Sequence, residues 1–146
     1  MCGIAGLIDL KRQLDAVPVE TRSQTLLSVM AANNETGVLQ PLDGIAEIAA
    51  RAEITLHSDM VQAYGKTTIN FAGSGIGYAS LSAHKIGGPS GVGALLVRPG
   101  FGLSSILKGG GQEQGRRSGT ENLIGIAGFG AAAKAAKDAG VSAFQG

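Results

Sequence analysis

Hydrophobic and polar positions change period several times along this chain, and each change predicts an element. Thr25 to Met30 is a short apolar run that ends in the polar stretch Ala31-Ala32-Asn33-Asn34-Glu35-Thr36-Gly37, the pattern of a strand followed by a loop. Pro41 suits the opening of a helix, and Leu42, Ile45, Ile48 and Ala49 then recur at helical spacing to about Glu53. Ile54 to His57 reads as the next strand and ends in Ser58-Asp59. Together these make a β-α-β unit, whose strands should run parallel through a right-handed crossover. After the short connection Val61 to Lys66, Tyr78 to Leu81 predicts a third strand. Ala94 to Val97 predicts a fourth, close enough across a glycine turn to run antiparallel. An alanine-rich helix is predicted from about Thr120 to Ala139, with Gly140 as its stop. The fold class is therefore α/β, a three-layer, mostly parallel sheet.

A length of 146 residues suggests one domain with a real core, short for most complete enzymes. The 44% hydrophobic content and +1 formal charge fit a soluble globular protein and argue against a nucleic-acid arm or an acidic tail. Neither a membrane span nor a signal peptide is expected, because the apolar stretch Cys2 to Ile8 is too short and lacks a basic flank. A single cysteine excludes an internal disulfide and fits a reducing compartment, so a cytoplasmic location is expected. The 24 glycines cluster between apolar runs, as turn and ligand-approach positions do.

Three polar clusters follow successive predicted strands: Asn34, then Asp59 with Gln62, then Ser82-Ala83-His84-Lys85. In parallel α/β sheets ligands bind outside the carboxyl ends of the strands, so one shared site is the economical interpretation. Lys85 can carry an aldehyde as an imine, Asp59 can pair with a protonated ring nitrogen, and Ser82 and His84 can donate to a phosphate. A carboxylate for a pyridinium and a lysine for a Schiff base describe pyridoxal phosphate.

The motifs Asn33-Asn34-Glu35-Thr36-Gly37, His57-Ser58-Asp59-Met60-Val61-Gln62, Ser82-Ala83-His84-Lys85-Ile86-Gly87-Gly88-Pro89 and Gly109-to-Asn122 occur in one order. On these, the chain resembles the class V aminotransferase family, and within it the cysteine desulfurases that feed iron–sulfur cluster assembly. The resemblance runs from about Gly6 to Ala136. It implies the large domain of a fold type I pyridoxal-phosphate enzyme in which Lys85 holds the cofactor covalently, Asp59 meets the ring nitrogen and Gln62 bonds the ring oxygen. It also implies Asn34 beside the cofactor, Ser82 and His84 on its phosphate, and Thr120 lent to the phosphate of a neighbouring subunit in a homodimer. Thr120 is further expected to cap the last helix, whose N-terminus attracts anions. L-cysteine as substrate and a sulfur acceptor or iron–sulfur scaffold protein as partner follow from the same resemblance. Residues 1–146 are expected to be a partial large domain. The family's N-terminal cofactor loop, its sulfur-accepting cysteine and its carboxylate-binding arginine have no counterpart in it. Gly77 departs from the aspartate that relatives often carry before the lysine strand.

Weaker patterns compete. His57, His84 and Asp59 lack the tight spacing of a metal site. Gly73-Ser74-Gly75-Ile76-Gly77 mimics a dinucleotide loop, yet it precedes a strand and so reads as a turn. Arg116 and Arg117 read as solvated loop residues, while Asn33 and Glu35 read as shaping their loop. Met1-Cys2-Gly3-Ile4-Ala5-Gly6 looks like the start of N-terminal-nucleophile glutamine amidotransferases, with Cys2 as nucleophile, but without the Asn-Gly loop those domains use. A third alternative is a non-catalytic chain that associates with a complementary polypeptide through an unpaired sheet edge.

Overall fold

The computed structural model describes residues 3–140. A four-stranded sheet runs in the order β1 (Leu26–Met30), β2 (Thr55–Asp59), β3 (Tyr78–Ser82), β4 (Gly93–Val97). β1, β2 and β3 are parallel and β4 is antiparallel to β3, as the strand spacing predicts. Helix α1 spans Gly3–Asp15, α2 Val19–Arg22, α3 Leu42–Arg51 and α4 Leu123–Ala139. None of them is long and apolar enough to cross a membrane.

Alternation along the strands sorts side chains to two faces. Leu56, Ser58, Ala79 and Leu81 point to the buried face, where Ile45, Ala46 and Ala49 of α3 and Leu14 of α1 complete the core. Burying an aliphatic side chain such as Ile45 or Leu56 contributes about 1.5–3 kcal/mol. The other face remains open: Leu26, Met30 and Leu95 keep 55%, 42% and 46% of their surface exposed. Of the three layers expected, the described residues thus supply the sheet and one helical layer.

Ser58 is fully buried, and its Oγ has no hydrogen-bond partner among the described residues. On the open face, Ser28 Oγ and His57 Nδ1 lie 2.8 Å apart, so His57 is a strand residue paired to its neighbour on β1.

Helix α3 closes with a Schellman motif. The Ile54 N–H donates to the Ala49 carbonyl at 3.0 Å and the Glu53 N–H to the Ala50 carbonyl at 3.1 Å. This geometry places Glu53 at φ 57°, in the left-handed region. A side chain there is strained, and glycine is not. Glu53→Gly is therefore expected to raise unfolding stability by about 0.5–1 kcal/mol, read from denaturant midpoints; a loss would show that the carboxylate outweighs the strain.

Three helices depart from the sequence expectations, the short α2 being as unforeseen as α1. α1 was not foreseen. It covers charged positions from Asp9 to Asp15 and buries Leu14. α4 begins later than expected: Asn122, not Thr120, is its N-cap, with Asn122 Oδ1 accepting from the Gly125 N–H at 3.0 Å. Asparagine is among the strongest N-caps, which is why it wins over a threonine two residues earlier. The helix stops where expected, with Gly140 at φ 68°.

Candidate functional site

The carboxyl ends of β1, β2 and β3 assemble the site. Parallel pairing sets Met30 beside Asp59 and Asp59 beside Ser80, so one end of the sheet gathers the loops that follow all three strands. The Ala31 N–H donates to the Asp59 carbonyl at 2.7 Å and the Met60 N–H to the Ser80 carbonyl at 3.1 Å, extending the ladder to the point where each chain turns away.

After β1, Asn33 Oδ1 accepts from the N–H groups of Glu35 and Thr36, both at 2.9 Å, which shapes the loop as its sequence suggests. Asn34 is exposed, and its Nδ2 donates to Glu35 Oε1 at 2.5 Å. At the end of β2, Asp59 Oδ1 accepts from the Val61 N–H at 2.9 Å, and among the described residues no partner binds its second carboxylate oxygen. Gln62 then lines a cavity of about 420 Å³ together with Asn34, Gly37 and Lys66. Around Gly37, at φ 70°, nothing lies within 4 Å of where a Cβ would stand, so the missing side chain leaves cavity space open.

After β3 comes a single 3₁₀ turn, Ala83–Ile86, which carries His84 and Lys85. Ser82 Oγ and His84 Nδ1 lie 2.8 Å apart. Lys85 is half-buried, and no ion pair among the described residues occupies its ammonium. Gly87 ends the turn at φ 84°, a conformation that glycine adopts without strain.

Helix α4 braces this turn through its small residues. Gly128 lies against Pro89, and Ala132 lies 3.2 Å from where a Gly88 Cβ would stand. At Gly65, φ 75°, a Cβ would meet Ile86 Cγ2 at 2.9 Å and Ala136 Cβ at 3.2 Å. The turn after β2, the lysine turn and α4 therefore close on one another through positions that carry no side chain. Gly77 has a local reason as well: a Cβ there would stand 2.7 Å from the ring of Phe101, which also packs edge-on against Tyr78 with centroids 5.6 Å apart. The aromatic pair fills the space beside residue 77.

The structure thus brings Asn34 and Gln62 onto one cavity and sets Asp59, Ser82, His84 and Lys85 on adjoining strand ends. It does not join Thr120 to them; that residue is exposed, on the approach to α4. Arg117 is not merely solvated, since it donates to the Gly119 carbonyl at 2.6 Å and meets Glu113 Oε1 at 3.3 Å. Cys2 lies outside the described residues. Lys66 is the site residue that the motifs passed over; its Nζ donates to Gln62 Oε1 at 2.9 Å. The available signal was spacing, because residues four apart share a face wherever the backbone turns helically.

The donor types fit pyridoxal phosphate: an amine with no ion pair among the described residues, a carboxylate and a hydroxyl–imidazole pair at adjoining strand ends, and an amide on the cavity that Gly37 leaves open. The family model for class-V aminotransferases matches residues 5–146. The chain belongs to that family. Class-V aminotransferases depend on pyridoxal phosphate. The chain is similar to a cysteine desulfurase of Cereibacter sphaeroides, 51% identical over 76% of this chain and 29% of that protein. It is similar also to the mitochondrial cysteine desulfurase of Saccharomyces cerevisiae, 48% identical over 90% of this chain and 26% of that one. Among solved structures, a NifS-like protein from Rickettsia africae superposes with a TM-score of 0.87 and 41% identity, over 93% of this chain and 37% of its own. The chain therefore spans between a quarter and a third of the curated relatives it matches. The amidotransferase alternative finds no support in these matches.

Proposed function

We propose that this chain carries the cofactor-binding core of a pyridoxal-phosphate-dependent cysteine desulfurase. The overall reaction would convert L-cysteine to L-alanine, with sulfur passed to an enzyme cysteine as a persulfide. The observation that carries this is the convergence of Asn34, Asp59 with Gln62, and Ser82 to Lys85 at three adjoining strand ends, in a chain similar to cysteine desulfurases.

Lys85 would hold the cofactor through its amine, on a turn that α4 keeps from shifting. Asp59 would face the ring nitrogen with the oxygen that the Val61 N–H leaves free, holding a proton there by opposite charge. Gln62 would bond the ring oxygen and Asn34 would sit beside it, both on the cavity wall. Ser82 and His84 would hold the phosphate as a mutually oriented pair. When bound, the cofactor supplies an electron sink for charge developing at the substrate α-carbon. Thr120 would serve the phosphate of a second subunit, which suits an exposed residue and implies a homodimer. Residues 1–146 would form part of the large domain, in a cytoplasmic enzyme whose sulfur leaves to an acceptor or iron–sulfur scaffold protein.

Titrating the purified chain with pyridoxal phosphate is expected to show weak, saturable binding. Adding L-cysteine is expected to release no sulfide above a cofactor-only control. Robust sulfide release would show that this chain does more than hold the cofactor, and non-saturable binding would remove the site.

A further inference from the structure

Gln62 and Lys66 lie four residues apart in a segment that closes helical bonds without forming a regular helix. The Tyr64 N–H donates to the Met60 carbonyl at 2.8 Å and the Thr67 N–H to the Ala63 carbonyl at 3.0 Å. Both side chains therefore reach the same side, where they line the cavity that Asn34 also borders.

The pairing has a direction. A lysine ammonium has three donors and no acceptor, whereas a carboxamide has an acceptor oxygen and a donor nitrogen. The 2.9 Å contact from Lys66 Nζ to Gln62 Oε1 therefore turns the amide oxygen toward the lysine. It leaves the Gln62 NH₂ free to donate elsewhere. Without the ammonium, the amide can turn over and present its oxygen instead, since the two ends are nearly equal in shape. A ligand oxygen that carries negative charge needs the donor end.

We infer that Lys66 is a positioning residue for the cofactor site: by holding Gln62 Oε1, it commits the Gln62 amide to donate to the cofactor's ring oxygen. This rests on the function proposed above, in which Gln62 faces that oxygen. Lys66 itself need not touch the cofactor, and its effect should pass entirely through Gln62.

The test compares pyridoxal phosphate with its 3-deoxy analogue, which lacks the ring hydroxyl, by equilibrium dialysis against the purified chain. Wild type should prefer pyridoxal phosphate. Lys66→Met should weaken that ligand about tenfold, the scale of one charge-assisted hydrogen bond, and leave the analogue within about twofold. Unchanged analogue binding would also show that the variant is folded. Lys66→Arg, which keeps a donor in reach, should restore most of the preference. In a Gln62→Ala background, Lys66→Met should add nothing further. Equal weakening of both ligands would overturn the proposal, as would additive effects of the two substitutions or a preference left undiminished by Lys66→Met. A wild type with no preference at all would overturn the role of Gln62 in the proposed function, and this inference with it.

Discussion

Replacing Gly65 with alanine should destabilise the chain by about 2–5 kcal/mol, a large share of the stability of a domain this size. Two costs combine. Residue 65 sits at φ 75°, where a Cβ costs about 1–2 kcal/mol. The same Cβ would stand 2.9 Å from Ile86 Cγ2 and 3.2 Å from Ala136 Cβ, and overpacking a closed contact costs about 1–3 kcal/mol more. Neither neighbour can swing away cheaply, because Ile86 is buried in the lysine turn and Ala136 is buried on α4. Urea unfolding should show a lower midpoint with an unchanged slope. A loss below about 0.5 kcal/mol would mean that the three segments are not closed on one another as described.

The second large effect falls on binding. Asp59→Asn should leave the fold intact, because the amide oxygen can still accept the turn bond from the Val61 N–H. It removes the negative charge from the end of β2. A hydrogen bond to a charged group contributes about 1.5–3 kcal/mol, so affinity for pyridoxal phosphate should fall about 10- to 100-fold. Dialysis measures the loss, and a denaturation curve close to wild type separates it from unfolding. Affinity within about threefold of wild type would remove Asp59 as the partner of the ring nitrogen.

The strands were legible because short apolar runs ended in loop residues at regular intervals, and because only a long crossover can join parallel neighbours. Helix α1 was not legible. Its charged positions form ion pairs along its own surface, Lys11 with Asp15 and Arg12 with Asp9, both at 2.5 Å, while Leu14 is buried and Leu7 and Leu10 pack against the core. The Arg12 guanidinium, followed by the Gln13 amide, holds the Asp9 carboxyl below its ordinary value by hydrogen bonding. The signal α1 did carry was Leu7, Leu10 and Leu14 at helical spacing, a narrow apolar stripe among charged positions.

The candidate site was more legible than the helices around it. Asp59 and Ser82 end strands and Asn34, Gln62, His84 and Lys85 follow them, and topology then gathers these loops at one end of the sheet. Their bracing was not visible: Gly65, Gly88 and Gly128 mark close approaches between segments remote in sequence, which a single glycine does not announce. Lys66 escaped for a related reason, since the turn that aligns it with Gln62 carries no helix start or stop signal. Thr120 was placed on the correct stretch, but the cap fell to Asn122.

The most direct test of the cofactor site is a map of covalent capture. The purified chain is mixed with pyridoxal phosphate, reduced with borohydride, digested and analysed by mass spectrometry. The expected result is a cofactor adduct concentrated on Lys85 and lost in Lys85→Ala, with the other lysines modified only to the level of a denatured control. An adduct spread evenly over Lys11, Lys108, Lys134 and Lys137, unchanged by Lys85→Ala, would contradict the site at its centre.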